Sequence, residues 1–540
     1  MIKFESNIQT HETVFIESRA DLSRIFNQET ESSTDTFKSV FDNINNLIVN
    51  KLIKIISIKH DQGITFDQIQ QLINQQILRL NQDTEKLVKW LLKNQDKAQY
   101  VWFLGLFYYY NIGTEEYSNK AFQLFLKASE DNFSLAQVYL AKCYNDGYGT
   151  QKDKYLTFKW YEKSTENKSI SGQFYLGCCY EYGIGIEKDQ EKAVSLYKKA
   201  TAENGNQVAQ YNLSKCYRNG IGVRKDEKKA FKLVKESAKQ GYINGKHLLG
   251  YYYDEGIGTD INRAKAAELY KIAANKEYSN SQNNLGLLFM NGDGIEKNLE
   301  MAFYWYNKAI KNGNKVAQYN LGRYYEKDDE KNEVKAFEYY KKSAEQGYLD
   351  AQNKVAYFAY CYDKGIGIEV NKEKAFKLYK EIAEKRHEIA QYNLGICYEY
   401  GKGIEKDKVK AFENYKKSAE QGYSNAQTKL GYLYESGIGT EINFKMAFYW
   451  YQKTAEKGEE IAQFNLGECY ELGNELSDLD KINYWYHKAA ENDNKVALYK
   501  LGEFYELGKG VCQNKIRAIV FYKKSADQGF IDAQYKLDHI

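Results

Sequence analysis

The chain has 540 residues, of which 43% are apolar, with 76 Lys and Arg against 73 Asp and Glu. So balanced a charge gives no strong grip on a phosphate backbone, which argues against nucleic acid as a partner. No early stretch pairs a basic start with an apolar core, and no run approaches the roughly 18 apolar residues that cross a bilayer, so a leader and a membrane span are not expected and the chain reads as cytoplasmic, with the nucleus open. Proline is absent, where average usage would place roughly 27. Its absence fits a nearly all-helical chain, although a codon bias toward Lys, Asn, Ile and Tyr leaves the same gap.

Residues 1–34 are polar and are expected to lack order. Phe37 to Lys59 and Phe66 to Asn94 show helical apolar periodicity, the second opening with Thr65 and Gln68 at capping-box spacing. Residues 35–97 are therefore expected to form two or three helices whose apolar faces cap the end of the region C-terminal to them.

That region, 98–540, is an array. An A-Q-x-x-L-G signature returns about every 36 residues, anchored at Tyr100, Ala136, Gly172, Ala209, Gly245, Ser281, Ala317, Ala351, Ala390, Ala426, Ala462, Ala497 and Ala533. In the copy at Ala390, small or apolar residues at Ala390, Leu394, Cys397 and Tyr398 mark one face of a helix A. Ala411, Phe412, Tyr415, Ser418 and Ala419 mark a helix B, and Gly422 stands where a left-handed terminal residue is wanted. The unit is a helical hairpin, about twelve of them plus a final helix from Asp532.

Gly395 falls inside helix A, where glycine costs about 0.5–1 kcal/mol relative to alanine. Its return at Gly177, Gly322, Gly431 and Gly502, with small Ala141, Ser214 and Ala356 elsewhere, predicts close backbone contact with a facing helix. The turn carries G-x-G, as in Gly401/Gly403 and Gly437/Gly439, but never extends to a phosphate-binding loop. Six of the eight cysteines, Cys143, Cys179, Cys216, Cys361, Cys397 and Cys469, share one repeat position, so they are expected to be buried and reduced.

Several copies depart from the frame. The turn from Tyr325 to Asn332 lacks glycine, Gly473 has no second glycine, and Asn111-Ile112-Gly113 lacks the first. The copy at Ala351 inserts three residues before Gly365, which makes 325–365 a place for a bend, or else a surface bulge.

The stretch A-Q-Y-N-L-G-x-C-Y-E-x-G-x-G-I-x-K-D, continued by K-A-F-x-x-Y-K-K-S-A-E-Q-G, resembles the Sel1-like repeat, a relative of the tetratricopeptide repeat. The segment before it resembles the region between a kinase domain and such repeats in fungal signalling proteins. No H-R-D, V-A-I-K or D-F-G motif occurs, so no kinase activity is expected. The resemblance implies an all-α fold, a right-handed α-solenoid of hairpins acting as a scaffold or adaptor that binds other proteins, in intracellular signalling. It leaves open a regulatory subunit that activates a separate enzyme, as some relatives do for chitin synthase. An RNA-binding helical repeat is a further alternative, disfavoured by the balanced charge.

In the related tetratricopeptide geometry helix A faces a concave groove through positions two, six and nine after the anchor. The first row reads Phe174, Tyr211, Tyr319, Tyr392, Phe464, Tyr499 and Tyr535. The third reads Glu181, Asp254, Glu326, Glu399, Glu435, Glu471 and Glu506. Repeated aromatics suit a bound helix or peptide, and an acidic row suits a basic one. The plainer alternatives are that the aromatics complete packing and that the acids pair with helix-B lysines such as Lys341 and Lys416. The six histidines are scattered without ligand spacing, and no Ser/His/Asp or Cys/His set is assignable. Neither catalysis, a metal nor a cofactor is expected.

Overall fold

The computed structural model describes residues 34–114, 117–203, 205–327, 332–366, 369–472 and 478–540. The expectations for residues 1–33, and for the turns at 328–331 and 473–476, fall outside them. Among the described residues there is no strand. Three helices come first: α1 (Thr34–Asp61), α2 (Phe66–Arg79) and α3 (Thr84–Lys93). Twelve hairpins, numbered 1 to 12, come next, over 98–130, 134–166, 170–203, 207–239, 243–274, 279–311, 315–345, 349–383, 388–420, 424–455, 460–491 and 495–527, with a final helix Ile531–His539. Within hairpins 1–5 and within hairpins 7–12, helix A lies on helix B of its own hairpin and helix B on the next helix A, which is how a solenoid stacks. The chain divides into two compact units, one ending at Ala302 and one running Phe303–Ile540.

Hairpin 9 shows how the repeat letters do this. Helix A (Glu388–Tyr400) buries Ala390, Leu394, Gly395 and Cys397, and helix B (Lys408–Glu420) buries Ala411, Tyr415, Ser418 and Ala419. Gly401 at φ +72° ends helix A in the left-handed region, and Asp407 starts helix B by accepting from the Lys410 amide at 2.9 Å. Gly403 serves closeness as well as conformation, since a Cβ there would stand 2.1 Å from the Lys372 carbonyl oxygen of hairpin 8. The glutamine of the signature also has a task. Gln391 donates to the Ala383 carbonyl at 3.0 Å, and Gln427 to Ala419 at 2.9 Å, so each adds a second bond to a carbonyl at the end of the preceding helix B, beside those from the Arg386 and Gly422 amides.

The mid-helix glycine needs a correction. Close approach is present, but to a ring rather than to backbone: a Cβ on Gly395 would lie 2.8 Å from the Tyr415 ring, and Gly431 and Gly502 face Tyr451 and Tyr522 in the same way. The glycine leaves room for the helix-B tyrosine to lie flat on helix A. The insertion at Ala351 makes no bulge either. Its three residues lengthen helix A to 16 residues, Leu349–Lys364, where the neighbouring helices A have 13, and Gly365 at φ +73° closes it.

The periodicity from Phe66 to Asn94 is broken between α2 and α3, with Asn81 left-handed at φ +50° and Asp83 capping α3 through the Glu85 amide at 2.9 Å. The capping box of Thr65 and Gln68 is present. α1 buries Val49, Leu52, Ile53 and Ile56, α2 buries Ile69, Ile73 and Ile77, and α3 buries Leu87 and Leu91, all in one core with Trp102, Phe103 and Phe107 of hairpin 1. Helix A of hairpin 1 is consequently buried on every side from Tyr100 to Phe107, as an apolar helix covered on both faces must be.

Candidate functional site

The aromatic row of helix A is drawn into packing. Phe174, Tyr319, Tyr392, Phe464 and Tyr499 lie with ring centroids 5.3–5.8 Å from the buried helix-B tyrosines of their own hairpins, Tyr197, Tyr340, Tyr415, Tyr486 and Tyr522. Tyr211, Tyr319, Tyr392 and Tyr499 also meet the aromatic that leads into the next helix A, namely Tyr242, Tyr348, Tyr423 and Phe530, at 5.2–5.5 Å. Tyr535, at the end of the array, is 64% exposed. The rings thus form a ladder that joins one hairpin to the next.

The acidic row is engaged as well. The helix-B tyrosine hydroxyl donates to the carboxylate in each case: Tyr197 to Glu181 at 2.5 Å, Tyr340 to Glu326, Tyr415 to Glu399, Tyr486 to Glu471 and Tyr522 to Glu506 at 2.6 Å, and Tyr451 to Glu435 at 2.7 Å. Lysines complete the arrangement, but they are not those of helix B. Lys354, Lys429 and Lys500, three residues after the anchor of the next hairpin, and Lys536, at the same place in the final helix, pair with Glu326, Glu399, Glu471 and Glu506 at 2.7, 2.8, 3.2 and 2.9 Å. Lys341 pairs with Glu381 instead. Two helices of one hairpin and the first helix of the next therefore meet at a Tyr–Glu–Lys clamp. At Glu506, the Tyr522 hydroxyl and the Lys536 ammonium hold the carboxyl below its usual range.

The junction of hairpins 10 and 11 lacks that lysine. Its place is taken by Asn465, and among the described residues Glu435 makes no ion pair with a lysine. Glu468, three residues on, is pushed up by burial and by the charges of Glu435 and Glu471, against the opposing pull of Lys500. On the same two helices Tyr432 is 43% exposed and Leu472 74%, and two hairpins earlier Tyr357 is 54% exposed. Helix A thus leaves Tyr357, Tyr432 and Leu472 partly exposed, with the Lys429 ammonium 5.1 Å from the Tyr432 ring centre.

A carboxylate outside the sequence-derived row is the most buried of the set. Asp363, near the end of the lengthened helix A of hairpin 8, is 8% exposed and pairs with Lys372 at 3.0 Å, Lys402 at 3.3 Å and Lys364 at 3.7 Å. Burial alone raises its pKa, yet the hydrogen bond from Lys372 and the pull of Lys402 outweigh it, and the carboxyl lies below its ordinary value. Since the folded pKa is depressed, the stabilisation is present above the unfolded carboxyl range near pH 4 and is lost as pH falls through the folded value. Asp363→Asn is expected to cost about 1.5–3 kcal/mol at neutral pH. In denaturant titrations the gap between variant and parent should narrow as pH falls below the ordinary carboxyl range.

The helix-A face of hairpins 1–4 is not open. The α1–α2 segment lies along it from hairpin 1 to hairpin 4, farther than a cap on the first hairpin alone. Asn50 donates to the Tyr100 hydroxyl at 3.0 Å, Tyr110 donates to the Phe66 carbonyl at 2.7 Å, and the Phe66 ring stacks on Tyr175 at 5.3 Å. Ser171 donates to the His60 carbonyl at 2.8 Å, and the Gln207 amide to the Gln62 carbonyl at 3.0 Å. The His60 ring is 2.8 Å from the Tyr139 hydroxyl, and complete burial depresses its pKa to about 3, so it is neutral near pH 7.

The eight cysteines are free thiols, and burial pushes the Cys143, Cys179 and Cys469 thiols up to about 12, which suits packing rather than nucleophilic chemistry. Among the described residues no group of three or more His, Cys, Asp or Glu is placed to hold a metal, and no helix is long and apolar enough to cross a membrane.

The family model described as Sel1 repeat matches residues 97–133, 134–169, 170–205, 207–242, 244–278, 279–314, 315–348, 349–387, 389–423, 424–459, 461–494 and 495–530. No curated protein matches the chain. Among solved structures, a protective antigen of uropathogenic Escherichia coli with an SLR fold is 29% identical over 83% of this chain and 97% of its own, at TM-score 0.46. A Sel1 repeat protein from Oxalobacter formigenes is 27% identical over 45% of this chain and 96% of its own, at TM-score 0.41. An immunity protein from Pseudomonas aeruginosa is 24% identical over 40% of this chain and 79% of its own, at TM-score 0.28. Proteins built from this repeat are in general protein-interaction scaffolds. With twelve consecutive matches that coincide with the hairpins, this chain belongs to the Sel1 repeat family.

Proposed function

We propose that the chain is a non-enzymatic scaffold in intracellular signalling, and that helix A, on the concave side expected for such repeats, receives helical segments of partner proteins. The observation that carries this reading is the α1–α2 segment, a helical stretch already seated on the helix-A face of hairpins 1–4 through buried isoleucines, ring stacking and backbone hydrogen bonds. A face that takes one amphipathic helix has the chemistry to take another. In the second unit the corresponding residues at hairpins 8 to 11 include exposed Tyr357 and Tyr432, together with Glu435 and Glu468. That combination favours an amphipathic helix with basic flanks. Glu326, Glu399, Glu471 and Glu506 enter this reading as the frame, because their clamps set the spacing of the helices that the partner spans.

The test compares the intact chain with a variant carrying Tyr357→Ser, Tyr432→Ser and Glu435→Lys as baits for affinity purification with quantitative mass spectrometry. Captured protein is expected to fall at least tenfold while the far-ultraviolet circular dichroism is unchanged. Equal capture by a folded variant contradicts the reading.

A further inference from the structure

Helix B carries a large apolar residue three places after its anchoring small or apolar residue in eleven of the twelve hairpins, among them Trp160, Trp305, Leu378, Trp450 and Trp485. In hairpin 9 that place holds Asn414, whose side chain turns back to the Lys410 carbonyl of its own helix at 2.8 Å. Hairpin 10 shows what the usual residue does. Trp450 is 6% exposed and covers Ala419 of the preceding helix B together with Ala426 and Leu430 of its own helix A. One repeat earlier the same floor is Ala383 and Leu394, and a cavity of about 620 Å³ stands over it, lined also by Asn414 and Tyr398. Its size is in the range of ligand and anchor pockets, roughly 300–1,000 Å³.

The rim points to the same missing group. Lysines three residues after the tryptophans lie over their rings, Lys163 at 5.0 Å from Trp160, Lys308 at 5.4 Å from Trp305 and Lys453 at 5.2 Å from Trp450. The counterpart in hairpin 9 is Lys417, which borders the cavity with Lys380 and Arg386. Glu384 and Glu420 also stand on the rim, so cations outnumber carboxylates by three to two. An aromatic side chain entering from outside finds an apolar floor, a cation placed for its ring face, and a rim that favours neighbouring carboxylates.

We propose that hairpin 9 is a socket for one aromatic side chain, of indole size, presented by a partner protein on an acidic segment. This second docking point lies between the helices B of hairpins 8 and 9 and does not depend on the helix-A reading. Buried aromatic anchors in such pockets dominate binding, so a single substitution has a large effect.

The probe is a fluorescein-labelled 13-residue peptide with one central tryptophan flanked by glutamates, titrated by anisotropy against the full chain. Saturable binding is expected. It should weaken at least tenfold when the peptide's tryptophan is replaced by alanine, and at least tenfold in Asn414→Trp, which refills the socket as Trp450 fills its own. Asn414→Trp is also expected to unfold at higher temperature than the parent. Lys417→Glu, an exposed change that leaves the core intact, should weaken binding to a similar degree. No saturable binding by the parent, equal binding of the alanine peptide, or undiminished binding by Lys417→Glu overturns the proposal.

Discussion

Replacing Tyr415 by alanine is expected to lower the stability of hairpin 9 by about 3–5 kcal/mol, the range for removing a buried aromatic side chain. The ring is 1% exposed and fills the space that Gly395 leaves open, so its loss creates a cavity between two helices that cannot close up without moving both. The hydroxyl is lost with it, leaving Glu399 with Lys429 alone in a clamp built for three groups. Tyr415→Phe isolates that share. It keeps the ring, and it is expected to cost about 1.5–3 kcal/mol through the charged hydrogen bond. Hydrogen exchange read by mass spectrometry detects both, with protection lost over 388–420 and in hairpins 8 and 10 beside it, because a stacked repeat is stabilised mainly by its neighbours. Unchanged exchange in Tyr415→Ala contradicts this packing.

Ile56→Asp is expected to have an effect of comparable size on the other unit. Ile56 is fully buried in the core that α1 shares with α2, α3 and hairpin 1, so a carboxyl group there is set among apolar side chains. The lost side chain and the buried polar group together are expected to cost about 3–5 kcal/mol. The same exchange experiment should show α1 to α3 losing protection together with hairpins 1–4, since Ser171 and Gln207 bond to carbonyls of this segment. Hairpins 9–12 should keep theirs. Loss confined to α1 to α3 shows that the segment is an appendage rather than part of the stacking.

The repeat was legible because hairpins of one length place equivalent residues at equivalent depth. Ala390, Leu394 and Cys397 recur in frame, and each is buried as its periodicity demands. What the frame does not state is which surface residues meet. Lys354, Lys429, Lys500 and Lys536 stand at one repeat position, so the lysine half of the clamp was present in the sequence. Their pairing with the preceding helix A depends on the step between hairpins, a distance that periodicity does not contain. Asp363 escaped the acidic row for a different reason. Three inserted residues shift it from position nine to position twelve after Ala351, although Cys361, Tyr362 and Gly365 keep their spacing around it. Counting back from the turn glycine rather than forward from the anchor finds it. The reach of α1 and α2 across four hairpins rests on contacts such as Asn206 to the Asp61 carbonyl, 145 residues apart, which no local pattern encodes.

That helix A carries the partner is tested most directly by a photoreactive p-benzoylphenylalanine placed in the full chain at one of two exposed tyrosines, Tyr432 on helix A of hairpin 10 or Tyr484 on helix B of hairpin 11. After irradiation in native extract, the probe at position 432 is expected to link partner proteins that the probe at position 484 does not. Linkage from position 484 alone contradicts the assignment of the helix-A face.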